Sequence, residues 1–447
     1  MESAILSLAI ALLGLFLAHI SLGIFRLKSL TISKAFYLTY IVFVYVPSIF
    51  VFFNVSGQYR STYLTATTLT LIFFPLGVLT VRIILGTYKI TDRQYYERPL
   101  VPLSINESPW RHSFTWILIS SIILLMIYLL MVPRVALFEA ILHPHSYLYL
   151  AKAREESFKL LKVGSVLKYF FTWLRVLILP YLSLISFLAW YTTRKRFWLW
   201  SFFISVLMAL FYASLSLAKM PVAWVMLLLA LAYYLARQGN VSIKRMVVLG
   251  LLIFIFPVFV VFIVMPWSET GASYVLIIQG IVRRIFWVPA WVLYHYFEVF
   301  PENVAFLHGR SVGALSIFQG ESFFPVSSFV YQYMNPDKPL SHGLANAPFI
   351  GNLYADFGLI GVIGGSFFIG MLSDFLHYYL TKKPKTPIYV ATYAYLIGAF
   401  YLMNNTALPV VLNTNGLIWV FMILFGMRLT EEVLRNIWKE IPKKSTP

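Results

Sequence analysis

The stretch Ser113–Val132, SFTWILISSIILLMIYLLMV, carries no charged residue. As a helix, twenty residues rise about 30 Å, the thickness of the hydrocarbon core of a bilayer. A run with no polar stripe to offer water predicts lipid as its solvent. Comparable runs recur on both sides of it. They predict eleven spans, at about 3–25, 35–53, 62–86, 113–132, 166–191, 197–218, 220–237, 246–266, 350–380, 387–403 and 409–428. Hydrophobic residues make up 60% of the 447 and charged residues 12%, with a mean hydropathy of +0.79. A soluble domain has about 25% charged residues. The reading is an all-α polytopic membrane protein, one integral membrane domain over residues 1–447. Ser3–Phe25 lacks a basic start and a small-residue cleavage site, so it reads as a retained signal-anchor.

The charge of +18 is spread over short loops with no long basic run, which argues against nucleic acid as a partner. It fits topology signals and attraction to anionic lipid or polyanionic substrates. With no cysteine, disulfides, zinc thiolates and thiol nucleophiles are excluded.

The loops sort by Lys and Arg. Those holding Arg26, Lys89, Arg194, Arg237, Lys382 and the C-terminal tail share twenty-one positive residues, and the opposite set has eleven. Short loops rich in Lys and Arg stay cytoplasmic. The N-terminus is then outside and the C-terminus cytoplasmic, in a bacterial or archaeal cell membrane (the inner one in a Gram-negative cell). Two extracytoplasmic loops follow, a smaller one at 133–165 and a large one at 267–349. The smaller mixes charged and apolar residues at helical spacing and reads as an interfacial helix. Within the larger, Tyr274–Phe300 is apolar enough to be a twelfth span. Arg283 and Arg284 near its middle would cost ~5 kcal/mol at mid-bilayer. That favours a helix lying at the outer interface or re-entering against the bundle.

Residues able to do chemistry concentrate in these loops. Arg283 and Arg284 could hold phosphate oxygens through their guanidinium forks, or snorkel to lipid headgroups. Arg310 lies in the Gly-flanked FLHGRSVG, where backbone amides can also approach an anion. Arg154 and Lys219 are further phosphate candidates, Lys219 at the outer end of a hairpin where it could equally snorkel. His342, in LSHGLANAPF, and His308, two residues before Arg310, could each take a proton from a hydroxyl near neutral pH, or be structural. Asp356, in NLYADFG, is expected to pair with a loop arginine, with a general-base role as the alternative. Arg175, inside the fifth span, requires a partner. His143 and His145 could be metal ligands, but no third ligand has suitable spacing, so no metal site is expected. Loop aromatics such as Tyr294, Tyr296, Phe323 and Tyr333 could stack on sugar rings or simply pack.

RRIFWVPAWVLYHYFEVFPENVAFLHGRS (283–311) followed by NAPFIGNLYADFGLIGVIGGSFFIG (346–370) resembles the Wzy-type O-antigen and oligosaccharide repeat-unit polymerases. YLAKAREESFKLLKVG, the fifth span with Pro180, and SLSLAKMPVAWVMLLLALAYYL resemble them too. The likeness covers roughly residues 133–380. It implies a GT-C-like glycosyltransferase, related to the O-antigen ligases, serving lipopolysaccharide or exopolysaccharide biosynthesis. Such an enzyme moves a growing glycan from undecaprenyl pyrophosphate to the non-reducing end of the next lipid-linked unit. It needs no cofactor or metal, works among membrane lipids, and could have a chain-length regulator as partner. Family polymerases carry an Arg, ten residues, Gly pattern in two outer loops. Here Arg154 to Gly164 and Arg310 to Gly320 enclose nine each. Related ligases set His before Asn about eleven residues ahead of the glycine of the GLIG-type turn. Here Ala347 follows Asn346 at that place and His342 lies upstream.

In this reading the arginines hold the pyrophosphate and stabilise its developing charge, while His342 or His308 activates the acceptor hydroxyl. Two alternatives stay open: an O-antigen ligase, which differs in acceptor, and a lipid-linked oligosaccharide flippase or transporter. Transporters commonly show repeats and polar residues inside broken spans.

Overall fold

The computed structural model describes residues 2–24, 29–86, 92–103, 108–132, 134–142, 165–237, 279–280, 282–337 and 343–440. All regular elements among them are helices. Lipid offers the backbone no hydrogen-bond partner, and a helix pairs its amides within one segment. Seven helices are long and apolar enough to cross a membrane: Ile32–Asn54, Arg60–Ile84, Pro109–Met131, Val166–Thr193, Arg196–Ser214, Phe349–Thr381 and Val410–Met427. Leu6–Leu22, Met220–Ala236 and Pro387–Leu402 are shorter apolar helices at three more predicted spans. The predicted span 246–266 and most of the smaller loop lie outside the described residues.

The chain forms two compact units. One comprises Met1–Gln94, Ala272–Lys382 and Ala399–Leu412, and the other Tyr95–Gly271, Lys383–Gly398 and Asn413–Pro447. In the first, Arg60–Ile84 is central, packed on both Glu2–Leu22 and Phe349–Thr381. Glycines set the closeness of the second contact. A Cβ on Gly77 would collide with the carbonyl oxygen of Phe367, and one on Gly370 with that of Phe74. Lipid gives no hydrophobic drive to bring helices together, so close backbone packing and buried polar pairs do that work. Tyr40 Oη donates to the carbonyl of Thr67 at 2.7 Å, and the hydroxyls of Thr70 and Ser366 lie 3.0 Å apart. Arg82 Nη2 meets Asp374 Oδ1 at 3.1 Å, with Ser33 and Ser373 beside the carboxylate.

Phe349–Thr381 is not one straight rod. Gly358 has φ 62° and ψ −149°, a conformation that only glycine adopts without strain. Beyond it the chain folds back. Cβ atoms on Gly361 and Gly365 would run into Leu353, eight and twelve residues earlier, which a continuous helix would hold about 12 and 18 Å away along its axis. Phe349 lies deep: its ring is 5.5 Å from that of Phe36, and its N–H donates to Met403 at 2.9 Å. The predicted single span over 350–380 is therefore corrected to a helical hairpin. A short limb, 349–357, turns at Gly358, and the 23 residues of 359–381 remain to cross.

The segment with the two arginines is also settled. Arg283–Trp287 is a π turn that runs on into the helix Val288–Val299. Phe286 stacks on Phe43 at 5.4 Å, near the middle of Ile32–Asn54, and Tyr63 Oη donates to Ala290 at 3.0 Å. This helix packs along the first unit's helices.

In the second unit Tyr128, Phe171, Leu174, Tyr212 and Leu215 share a buried core, and Tyr212 Oη donates to Phe171 at 3.0 Å. A π turn spans Leu174–Ile178. Pro180 has no N–H to give the Val176 carbonyl four residues earlier, and Trp224 Nε1 takes it at 2.9 Å. Arg175, in the same turn, interacts electrostatically with the phenols of Tyr128 and Tyr212. Lys385 is buried and donates to the carbonyls of Tyr96 and Arg98 at 3.3 and 3.1 Å.

Candidate functional site

The bend at Gly358 creates the first feature. Residues just ahead of it lose the amides that would follow in a helix, so their carbonyls are open to other donors. The loop 307–311 supplies them. Leu307 N–H donates to Ala355 at 3.0 Å and His308 N–H to Asp356 at 2.9 Å. The Asp356 carboxylate then takes three donors: Gly309 N–H at 3.1 Å, Ser311 N–H at 3.2 Å and the Ser311 hydroxyl at 2.5 Å. Asn352 Nδ2 donates to that same hydroxyl at 3.1 Å. Between these anchors His308 and Gly309 have φ of 51° and 98°, and Arg310 N–H closes the turn on Leu307 at 3.1 Å. Two successive positive φ values define a type I′ turn. It holds the His308 ring exposed, 6.4 Å from Phe357.

Asp356 is thus corrected. No arginine among the described residues pairs with it; two amides and a hydroxyl serve instead. Arg310 turns the other way, its Nε 3.3 Å from the Ser322 carbonyl and 3.7 Å from Glu321. A half-exposed ion pair at that distance is weak and leaves the guanidinium open to a stronger anion.

The second feature was missed in the sequence. On the helix Val288–Val299, His295 Nδ1 lies 2.6 Å from Glu298 Oε2. Trp291 meets the imidazole edge-on at 4.9 Å, and Tyr333 approaches it at 6.3 Å. Tyr59 Oη donates to Glu302 at 2.5 Å, Gln58 donates to Tyr59 at 2.7 Å, and Arg60 lies exposed 5.5 Å from the Phe52 ring. The bond to Glu302 raises the pKa of the Tyr59 phenol, since the bound form keeps its proton. The sequence signal was there: His and Glu three apart share a helix face.

Other candidates fall elsewhere. Arg283 and Arg284 are exposed, three and two residues before Phe286, and so lie alongside the middle of Ile32–Asn54. Some eleven helical residues, about 16 Å, separate Arg284 from His295. Lys219 opens the helix Lys219–Ala236 in the second unit. His342 and Arg154, like His143 and His145, lie outside the described residues. Among the described residues no three potential ligands converge on a metal position.

No family model, curated protein or solved structure matches the chain. Among the described residues every regular element is a helix, and seven helices are long and apolar enough to cross a membrane, as in multi-pass membrane proteins.

Proposed function

We propose that the protein is a membrane glycosyltransferase that polymerises lipid-linked oligosaccharide repeat units. It transfers the growing glycan from a polyprenyl pyrophosphate to a sugar hydroxyl of the next lipid-linked unit. The observation that carries this is the grouping of unspent acid–base and cationic side chains near one end of the first unit. His295 with Glu298, Tyr59 with Glu302, and Arg60 lie together there, and the turn with His308 and Arg310 is anchored on the neighbouring limb 349–357, whose Tyr354 stacks on Phe297 at 3.9 Å. Glycosyl transfer needs a proton acceptor at one oxygen and positive charge at the leaving pyrophosphate. The distribution of Lys and Arg among the loops supports an extracytoplasmic position for this end. The ligase alternative differs in acceptor alone and uses the same groups.

A second reading, a flippase for a lipid-linked anion, is favoured by one specific feature. The exposed Arg283–Arg284 pair sits at the level of mid-helix, where charge marks a path through the membrane. The two readings separate in one assay. Purified protein in nanodiscs receives labelled lipid-linked oligosaccharide extracted from cells lacking the gene. A polymerase converts it to a ladder of higher oligomers on a gel. A flippase leaves it unchanged and, in vesicles, moves it between leaflets.

A further inference from the structure

We propose that His295 is the residue that takes the proton from the acceptor hydroxyl, with Glu298 as its positioning residue, in a sugar-binding pocket walled by Trp291 and Tyr333. This rests on the glycosyl-transfer reading above. It replaces His308 as the base among the described residues.

Four observations converge. First, Glu298 engages Nδ1 of His295 at 2.6 Å. An ionised carboxylate there receives the Nδ1 proton, which leaves Nε2 with a lone pair; this is the tautomer a general base requires. Second, the His295 side chain is 14% exposed, accessible yet shielded from bulk water. Third, the buried Tyr294 hydroxyl packs directly against Gly57, where a Cβ would collide with it and stand 3.5 Å from Glu298 Oε1, so the helix that bears the pair is held closely on the Gly57 turn. Fourth, Trp291 and Tyr333 lie beside the imidazole in edge contacts, and such aromatic rings are of the kind that pack on sugars. By contrast, the carboxylate nearest the His308 turn, Asp356, is already taken by Ser311 and two amides.

The step balances as follows. The acceptor oxygen bonds to the anomeric carbon of the donor glycan. The bond from that carbon to the pyrophosphate oxygen breaks, and its electron pair leaves with the polyprenyl pyrophosphate. The acceptor proton passes to His295 Nε2 and then to water. Arg60 is the cation at this end of the unit best placed to meet the leaving charge.

The test uses the full chain in nanodiscs and labelled lipid-linked oligosaccharide from cells lacking the gene. His295→Ala is expected to slow ladder formation by about 10²–10⁴-fold while probe binding changes little. Glu298→Gln is expected to lower kcat with KM retained. Glu298→Asp, which keeps the carboxylate, is expected to recover part of the lost kcat, whereas a purely structural Glu298 would show no such split between kcat and KM. If the wild type forms no ladder, the glycosyl-transfer reading itself fails. If the wild type forms a ladder and His295→Ala matches its rate, this proposal alone is overturned. Should His295→Ala not yield a monodisperse protein, the Glu298→Gln kinetics decide: an unchanged kcat overturns the proposal.

Discussion

The hydroxyl of Ser311 donates to Oδ2 of Asp356 at 2.5 Å, tying the loop to the short limb of a helical hairpin. The bond joins two parts of the chain that the bend at Gly358 makes available to each other. With the helix broken, the end of the limb has carbonyls and a carboxylate to offer, and the loop 307–311 has the matching amides. The turn bearing His308 and Arg310 is thereby fixed to a membrane helix and not left as a free loop.

Removing that anchor should be measurable. Asp356→Ala leaves two amides and one hydroxyl without their acceptor, each loss worth roughly 1–3 kcal/mol when buried. Ser311→Ala removes one bond and should cost less, about 1 kcal/mol. Both are expected to speed limited proteolysis between residues 308 and 323, Asp356→Ala the more. Equal cleavage of wild type and Asp356→Ala would show that the turn does not depend on the carboxylate.

The glycine crossing gives a sharp contrast within one helix. Gly370→Leu must push Phe74–Phe367 backbones apart and should lower stability by several kcal/mol, above the 1–3 kcal/mol usual for overpacking. Gly364→Ala meets nothing within 4 Å and should be neutral or slightly stabilising, by its better helix propensity. Thermal unfolding in detergent separates the two. Comparable losses in both would remove the close crossing as the reason for Gly370.

Asp374 is 3% exposed and Arg82 18%, so their ion pair is shielded from solvent. Deleting one partner of a buried pair costs about 3–5 kcal/mol, because it strands the other charge. Asp374→Ala should therefore destabilise far more than the double variant Arg82→Met with Asp374→Leu. A double-mutant cycle reads the difference, and additive effects would mean that the two side chains act independently.

Orientation can be tested on a chain that lacks cysteine, so any introduced thiol is unique. Phe318 is 92% exposed. Phe318→Cys should react with a membrane-impermeant maleimide on intact cells, and Lys383→Cys should react only after lysis. A reporter that works only outside the cytoplasm should likewise be active fused after Pro325 and silent after Lys383. The opposite pattern would put the His295 end in the cytoplasm, where no lipid-linked repeat is polymerised under the proposed reading.

Much of the architecture is legible without coordinates. Ser113–Val132 is a helix because twenty uncharged residues can pair their backbone in lipid only with themselves, and the structure has Ser108–Met131 there. The same logic placed apolar helices at nine other predicted positions, six of them long enough to cross a membrane, since hydropathy is a local property summed over a window.

Other features depend on which segments meet. Hydropathy has no direction, so GLIGVIGG (358–365) reads the same in a straight span and in a hairpin; Leu353 packing on Gly361 and Gly365 decides it. Asp356 in the sequence is a carboxylate in want of a cation, and only the folded loop shows that amides and a hydroxyl serve instead. Arg82 and Asp374 stand 292 residues apart, beyond any periodicity. His295 and Glu298 were visible as a spacing, but what distinguishes them is the company of Trp291, Tyr333, Tyr294 and Gly57, drawn from three separate stretches of chain. Local composition determined where this protein is helical and which segments belong in lipid, because those depend on each residue and its near neighbours. The partners of its buried charges and the surroundings of its histidines were decided by tertiary packing, because they are contacts between residues the sequence keeps far apart.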